Sequence, residues 1–158
     1  MDKRNQSNFI ENVIQVKRVS KKNEGGNRIS FTALVVVGDK NGTVGYAHAR
    51  ALTVNEAIQK AVNKARRSAV KINLINNTLP YDILVKKGAC KIYLKPSPDG
   101  YGLVAGGAVR QVLDLAGVKN ASAKILGSSN KNANVRATID ALKALKVVKV
   151  KTQKNESK

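Results

Sequence analysis

His48 is the only histidine of the chain and Cys90 the only cysteine. One histidine excludes a two-histidine metal site, and a lone cysteine has neither a zinc partner nor an internal disulfide. His48 stands between Tyr46 and Arg50 in a stretch of alternating large and small side chains, with no nucleophile elbow or triad pattern near it. It reads as a packing or nucleic-acid-contact residue. Cys90 stands in a predicted strand, beside Ala89 and two residues from Ile92, and reads as a small buried hydrophobe. Gly100-Tyr101-Gly102-Leu103-Val104-Ala105 matches the dinucleotide pattern G-x-G-x-x-A ahead of a helix. A Pro-Ser-Pro-Asp turn separates it from the preceding strand, and Lys119 to Ala123 stand where the ribose-binding acid should be. A tight turn and close approach of backbone to another molecule explain these glycines better. No catalytic residue, metal site or cofactor is expected.

The chemistry the chain does carry is charge. Its 158 residues hold 29 Lys and Arg against 10 Asp and Glu, a formal net charge of +19. Residues 1–28, 29–79, 80–145 and 146–158 hold seven, seven, ten and five basic residues against three, two, four and one acids, so every segment is basic. Such a charge repels itself unless a polyanion neutralises it, and contact with nucleic acid over a large surface is the leading reading. A soluble basic protein with solvated charges is the plainer alternative. At 42% apolar the chain can build a core, but with 4% aromatic residues and no Trp the core must be aliphatic and rich in Ala. The longest bulky apolar run, Ala33 to Val37, is too short to span a bilayer, and residues 1–8 (MDKRNQSN) lead into no apolar signal region. A reducing, cytosol-like compartment is expected.

The elements that must position these charges fall into two groups. Residues 11–19 and 29–37 read as strands, the latter β-branched and alternating at its start. Between them Ser20–Arg28 reads as a polar, basic loop around Gly25-Gly26. Two adjacent glycines there let the backbone follow an RNA surface, with Lys21, Lys22 and Arg28 as counter-charge; an ordinary flexible hairpin tip is the plainer alternative. Asp39-Lys40-Asn41-Gly42 supplies a turn, and in residues 43–50 Val44, Tyr46, His48 and Arg50 share one face. Thr53, three residues before Glu56, predicts a capped helix over about 54–72 with Ala57, Ile58, Ala61, Val62, Ala65 and Ala69 inward. Lys60, Lys64, Arg67 and Lys71 then form one basic stripe, either a binding face or merely a solvated one.

Residues 74–80 read as a linker, punctuated by Asn76-Asn77 and Pro80. Beyond it, 82–87 and 90–95 read as a hairpin around Gly88. A helix over about 106–116 is capped by Gly117, 121–126 reads as a strand, and a last helix over about 132–145 turns Val135, Ile139, Leu142 and Leu145 inward. Arg136 and Asp140 are placed as an i,i+4 pair on it. The Lys-rich residues 146–158 read as a disordered basic tail and 1–8 as a flexible start. Each half has roughly 65 residues and is marginal alone, so the halves are expected to pack together and to gain stability from bound RNA.

Several stretches carry a resemblance. Phe31 to Asp39 (FTALVVVGD), followed by Asn41-Gly42, Val44-Gly45 and Ala57-Ile58-Gln59-Lys60-Ala61, resembles the N-terminal signature of bacterial-type small-subunit ribosomal protein five. Gly102 to Arg110 (GLVAGGAVR), Leu115 to Val118, Gly127 to Asn130 and Val135 to Asp140 follow in that family's order, so the likeness runs from about Phe9 to Leu145. It implies an α+β chain of two small domains. Residues 9–73 would form a sheet plus helix similar to a double-stranded-RNA-binding domain, and 81–145 a β/α domain with a left-handed βαβ crossover. It also implies a structural component of the small ribosomal subunit, in the cytoplasm. Its partners would be small-subunit ribosomal RNA, small-subunit proteins four and eight, and messenger RNA near its entrance. It would contribute to assembly and translational accuracy, with no membrane and no homo-oligomer. Gly102 and Arg110 match the positions through which the family meets protein four and influences decoding, and Arg18 to Arg28 match its spectinomycin-linked loop. Residues and resemblance together give an RNA-contact set of Arg18, Ser20, Lys21, Lys22, Gly25, Gly26, Arg28, Tyr46, His48, Arg50, Lys60, Lys64 and Arg67. Where the family usually has glycines and a lysine, this chain reads Ala47-His48-Ala49-Arg50. A Cβ at 47 and 49 limits close approach to RNA there, while Arg50 can keep a phosphate contact. A free-standing double-stranded-RNA-binding regulator and a nucleotide-dependent enzyme remain the second and third readings.

Overall fold

A computed structural model of the chain describes residues 9–145. The expected flexible start, 1–8, and disordered tail, 146–158, lie outside the described residues. The order of elements is β1 (Ile10–Asn23), β2 (Gly26–Gly38), β3 (Thr43–Ala51), α1 (Val54–Arg67), β4 (Val70–Lys71), β5 (Ile83–Lys87), β6 (Cys90–Pro96), β7 (Leu103–Val104), α2 (Gly107–Ala116), β8 (Ala121–Ile125) and α3 (Lys131–Ala144). They make a two-domain α+β structure with one sheet in order β1-β2-β3-β4 and another in order β5-β6-β8-β7.

Alternation along β2 decides how the layers stack. Ala33, Val35 and Val37 point to one face and pack on Ala57, Ala61, Val62 and Ala65 of α1. Leu34 and Val36 point to the other and join Val44 in a core that also holds Leu94, Val109, Leu113, Ile139 and Leu142. α2 touches β1, β2 and β3 as well as β7, and α3 touches β3 as well as β5 and β6. The order is therefore α1, first sheet, helices α2 and α3, second sheet. The expected packing of the two halves is observed as one shared core. Leu34, Val36 and Val44 are valuable only because the second domain covers them, which removes their apolar area from water.

The turn at 39–42 sits at this junction. The Lys40 amide donates to Leu115 O (3.1 Å) and the Gly42 amide to Ala116 O (2.9 Å). Asp39 Oδ1 accepts from the amides of Asn41 (2.8 Å) and Thr43 (2.9 Å). Burial pushes the Asp39 carboxyl up, but these bonds outweigh it and hold its pKa below the ordinary 3.8. The left-handed positions of the turn are Lys40 (φ 57°) and Gly42 (φ 91°).

Two further expectations are corrected, and one strand is added. Ser20–Arg28 is not a loop: the ladder continues through Ser20↔Ile29, Lys21↔Arg28, Lys22↔Asn27 and Asn23↔Gly26, leaving Glu24 and Gly25 as the turn. Polar composition hid a strand whose backbone bonds need no apolar side chains. The helix ends at Arg67, where the Ser68 amide caps onto Lys64 O and Ala65 O. Val70 and Lys71 instead pair with Val44 and Thr43, so Lys71 leaves the basic stripe and Ala69 the helix face. β7 is a strand within the Gly-rich stretch, parallel to β8 through Leu103↔Ala121 and Val104↔Ser122, so β7-α2-β8 is a βαβ unit.

Candidate nucleic-acid interface

β2 and β3 pair Thr32 with Arg50, Leu34 with His48 and Val36 with Tyr46, which puts Tyr46, His48 and Arg50 on the face turned away from α1. Along that face Val44 is buried under the second domain, Tyr46 is half-buried at its rim, and His48 and Arg50 emerge. Arg50 Nη2 donates to the hydroxyl of the buried Ser30 at 3.1 Å, which fixes the guanidinium against the sheet. Ala47 and Ala49 point the other way, into the α1 packing. Their methyl groups therefore leave the face of Tyr46, His48 and Arg50 unchanged, contrary to the expectation drawn from sequence. Gly45 shows how tight that side is, since a Cβ there would lie 2.3 Å from Ala65 O.

β1 and β2 run past the end of β3, whose last pair is Phe31↔Ala51, and continue as a two-stranded ribbon. On it Lys21 and Arg28 stand directly opposite each other, on the face that carries Arg50. Like charges so placed repel, and a polyanion relieves the cost. Arg18, Ser20 and Lys22 fall on the reverse face, so the ribbon is basic on both sides. Gly25 (φ 87°) and Gly26 (φ 148°) form its open tip, with nothing within 4 Å of either added Cβ.

His48 borders three adjoining depressions. One runs along α1 and holds Arg50, Lys60, Lys64 and Arg67. A second holds Gln15, Lys17 and Thr32. The third lies between the domains, with Tyr46 and Lys64 on one side and Lys87, Asn132, Arg136 and Lys143 on the other. The structure thus gathers Tyr46, His48, Arg50, Lys60, Lys64 and Arg67 around one centre and sets the ribbon residues beyond them. It separates them from Gly102 and Arg110. Arg110 lines a shallow depression of the second domain with Leu103 and Asp114. Gly102 (φ 72°) donates its amide to Asn120 Oδ1 at 3.0 Å and has open space where a side chain would project.

Sequence reasoning missed the second domain's half of this surface. Asp140 pairs with Lys87 of β5 rather than with Arg136, which leaves Arg136 facing the cleft. Lys87 is held below the ordinary lysine range by burial and by the positive charges of Arg136 and Lys143. Arg136, Lys143 and Lys64 of the first domain line one space, and a concentration of positive charge there attracts anions. The seven-residue spacing of Arg136 and Lys143, two turns on one helix face, was the available signal. Cys90 is buried at the start of β6, its thiol donating to Asn134 Oδ1 at 2.6 Å, and burial pushes its pKa up. It is a structural thiol. Among the described residues no cluster of three or more His, Cys, Asp or Glu could hold a metal ion.

A two-domain scaffold with a basic cleft at the domain junction can be compared with known proteins. The family model described as ribosomal protein S5, N-terminal domain, matches residues 9–73, and that of ribosomal protein S5, C-terminal domain, matches 85–155. The chain is 48% identical over 138 residues to small ribosomal subunit protein uS5 of Lawsonia intracellularis (strain PHE/MN1-00), covering 87% of this chain and 85% of that protein. The chain belongs to the ribosomal protein S5 family. As an S5 protein it is a component of the small ribosomal subunit, takes part in translation and is not an enzyme. The regulator and enzyme readings are set aside.

Proposed function

We propose that this S5 protein binds small-subunit ribosomal RNA through the surface centred on His48. The ribbon residues Lys21 and Arg28, the sheet residues Tyr46, His48 and Arg50, and the helix stripe Lys60, Lys64 and Arg67 form one part of it. Lys87, Arg136 and Lys143 form the other. The observation that carries this reading is the inter-domain cleft, where both domains contribute cations facing a common space. Phosphate contacts from such a surface position an RNA without reading its bases. Bound RNA then bridges the domains and favours their packed arrangement by mass action.

The finer reading follows the family resemblance. Residues 9–73 act as a unit similar to a double-stranded-RNA-binding domain, and 81–145 as a β/α unit whose β7-α2-β8 crossover is left-handed, against the usual rule; 74–80 links them. The second domain meets protein four through Gly102 and Arg110, and through that contact the protein influences decoding accuracy. Protein eight and the messenger near its entrance are the further partners, and the protein contributes to subunit assembly as a monomer.

Directed cleavage tests the RNA assignment. A hydroxyl-radical source tethered to a single cysteine placed at Asn63 or at Asn132, in a Cys90→Ser background, should cut the ribosomal RNA of assembled subunits at overlapping positions, because both border cavities that meet at His48. Cuts from neither position would refute the cleft as an RNA site.

A further inference from the structure

The second sheet closes the stack on one side only. Ile83, Val85, Ile92, Leu94, Ala121, Ala123 and Ile125 face the helices, and the residues alternating with them face outward. No described element covers that outer face. Its rows are set by the ladder: Leu84 beside Tyr93 beside Lys124, Lys86 beside Lys91, and Lys95 beside Ser122. Lys86, Lys91, Lys95 and Lys124 are exposed, Leu84 is 59% exposed, and Tyr93 lies half-buried between them. Lys91 and Lys95 flank Tyr93 by two residues on either side, on the same face of β6, spanning about 13 Å at strand rise.

Three features say what this face accepts. Lys86 and Lys91 are directly opposed like charges, costly in an exposed ladder unless an anion lies over them. Lysine is depleted at protein–protein interfaces, which argues against a protein partner. The Tyr93 hydroxyl donates to Asp82 Oδ2 at 3.2 Å, so the ring is held in place and the acid nearest it is already engaged. Residues 146–158 would be poor cover, because they carry five lysines against one glutamate. A duplex offers phosphates but hides its base faces, leaving Leu84 and Tyr93 unmatched. A single strand offers both phosphates and bases to stack.

We infer that this outer face is a second RNA-binding surface, which takes a single-stranded segment with phosphates on Lys86, Lys91, Lys95 and Lys124 and a base against Leu84 and Tyr93. It lies on the opposite side of the second sheet from α2 and α3. The protein is then bivalent for RNA, a property separate from the cleft at His48.

The test uses the full chain and two probes: a fluorescein-labelled twelve-nucleotide oligouridylate and a short RNA duplex, each followed by anisotropy. The double substitution Lys91→Glu/Lys124→Glu should weaken oligouridylate binding about tenfold more than the charge-matched control Lys71→Glu/Lys119→Glu. Tyr93→Leu, which changes no charge, should weaken it about fivefold with the melting curve unchanged. Neither should weaken duplex binding more than the control does, whereas Lys60→Glu/Lys64→Glu should. Equal losses in the sheet double variant and its control, or unchanged binding by Tyr93→Leu, would overturn the inference. So would intact oligouridylate binding by the sheet variants together with subunits that lack a neighbouring protein, since the occupant would then be a protein. A failure of the cleft reading shows separately, as duplex binding indifferent to Lys60 and Lys64.

Discussion

Gly38 and Leu115 meet where the two domains are pressed together: a Cβ on Gly38 would lie 2.1 Å from Leu115 O and 2.8 Å from Leu115 Cβ. Gly117 mirrors it across the same junction, its added Cβ falling 2.2 Å from Lys40 O. Neither neighbour is the far end of a flexible side chain, so a methyl group at either place must push backbone from backbone. The relation between the basic half-surfaces of the two domains depends on these close approaches.

Gly38→Ala should therefore destabilise the whole protein rather than one domain. Overpacking of this kind costs about 1–3 kcal/mol. Urea unfolding followed by circular dichroism should show a single transition at lower midpoint. An unchanged midpoint, or a first domain that melts while the second stays folded, contradicts a shared core.

Asp39 makes a pH-dependent contribution. Its folded-state pKa is depressed, so its stabilising effect is present above the unfolded value near 3.8 and is lost as pH falls through the lower folded value. Asn at this position keeps an acceptor oxygen but does not titrate. Melting temperatures of wild type and Asp39→Asn should differ above about pH 4 and converge below it. A difference independent of pH would assign the effect to something other than the carboxylate.

The hairpin tip tests the drug-linked reading of Arg18 to Arg28. Gly26→Asp adds a negative charge and a side chain with free space around it, at a φ of 148° that only glycine adopts readily and that costs about 1–3 kcal/mol locally. The fold should persist and spectinomycin sensitivity of ribosomes carrying the variant should change. The same inhibition curve as wild type removes the tip from that role.

Gly102 and Arg110 test the decoding reading. Arg110 is exposed, and a side chain at Gly102 would project into open space, so substitutions there spare the core. A buried Arg–carboxylate pair across an interface is worth about 2–5 kcal/mol when one partner is truncated, and far less at a rim. Weakening a contact made in the open subunit shifts the balance toward the closed, codon-accepting state. Arg110→Leu and Gly102→Arg should raise near-cognate misreading in a reporter assay without blocking assembly. Wild-type error rates in ribosomes that contain the variants would leave Arg110 a structural residue.

What could be read in the sequence followed side-chain periodicity. The Ala and Val spacing of α1, the inward Val135, Ile139 and Leu142 of α3, and the alternation of β2 and β3 each state a face directly. What could not be read depended on backbone pairing or on the other domain. Ser20 to Arg28 looked like a loop because its ladder is built by amides, not by apolar side chains. β7 hid among glycines because two residues of parallel pairing leave no period. Lys87, Arg136 and Lys143 join the surface at His48 only once α3 packs beside β3, and nothing local announces that contact. The role of Asp140 as the partner of Lys87 has the same origin, since 53 residues separate them.

The central claim is that both domains supply cations to one RNA site, and the salt dependence of binding measures it most directly. The affinity of the full chain for small-subunit ribosomal RNA should fall with salt, with a slope of log K against log salt of roughly 0.7–0.9 for each phosphate contact. Lys64→Glu from the first domain and Arg136→Glu from the second should each weaken binding and reduce the slope by about one contact, and together by about two. A slope near zero, or one that Lys64→Glu lowers and Arg136→Glu leaves untouched, would contradict a site built from both domains.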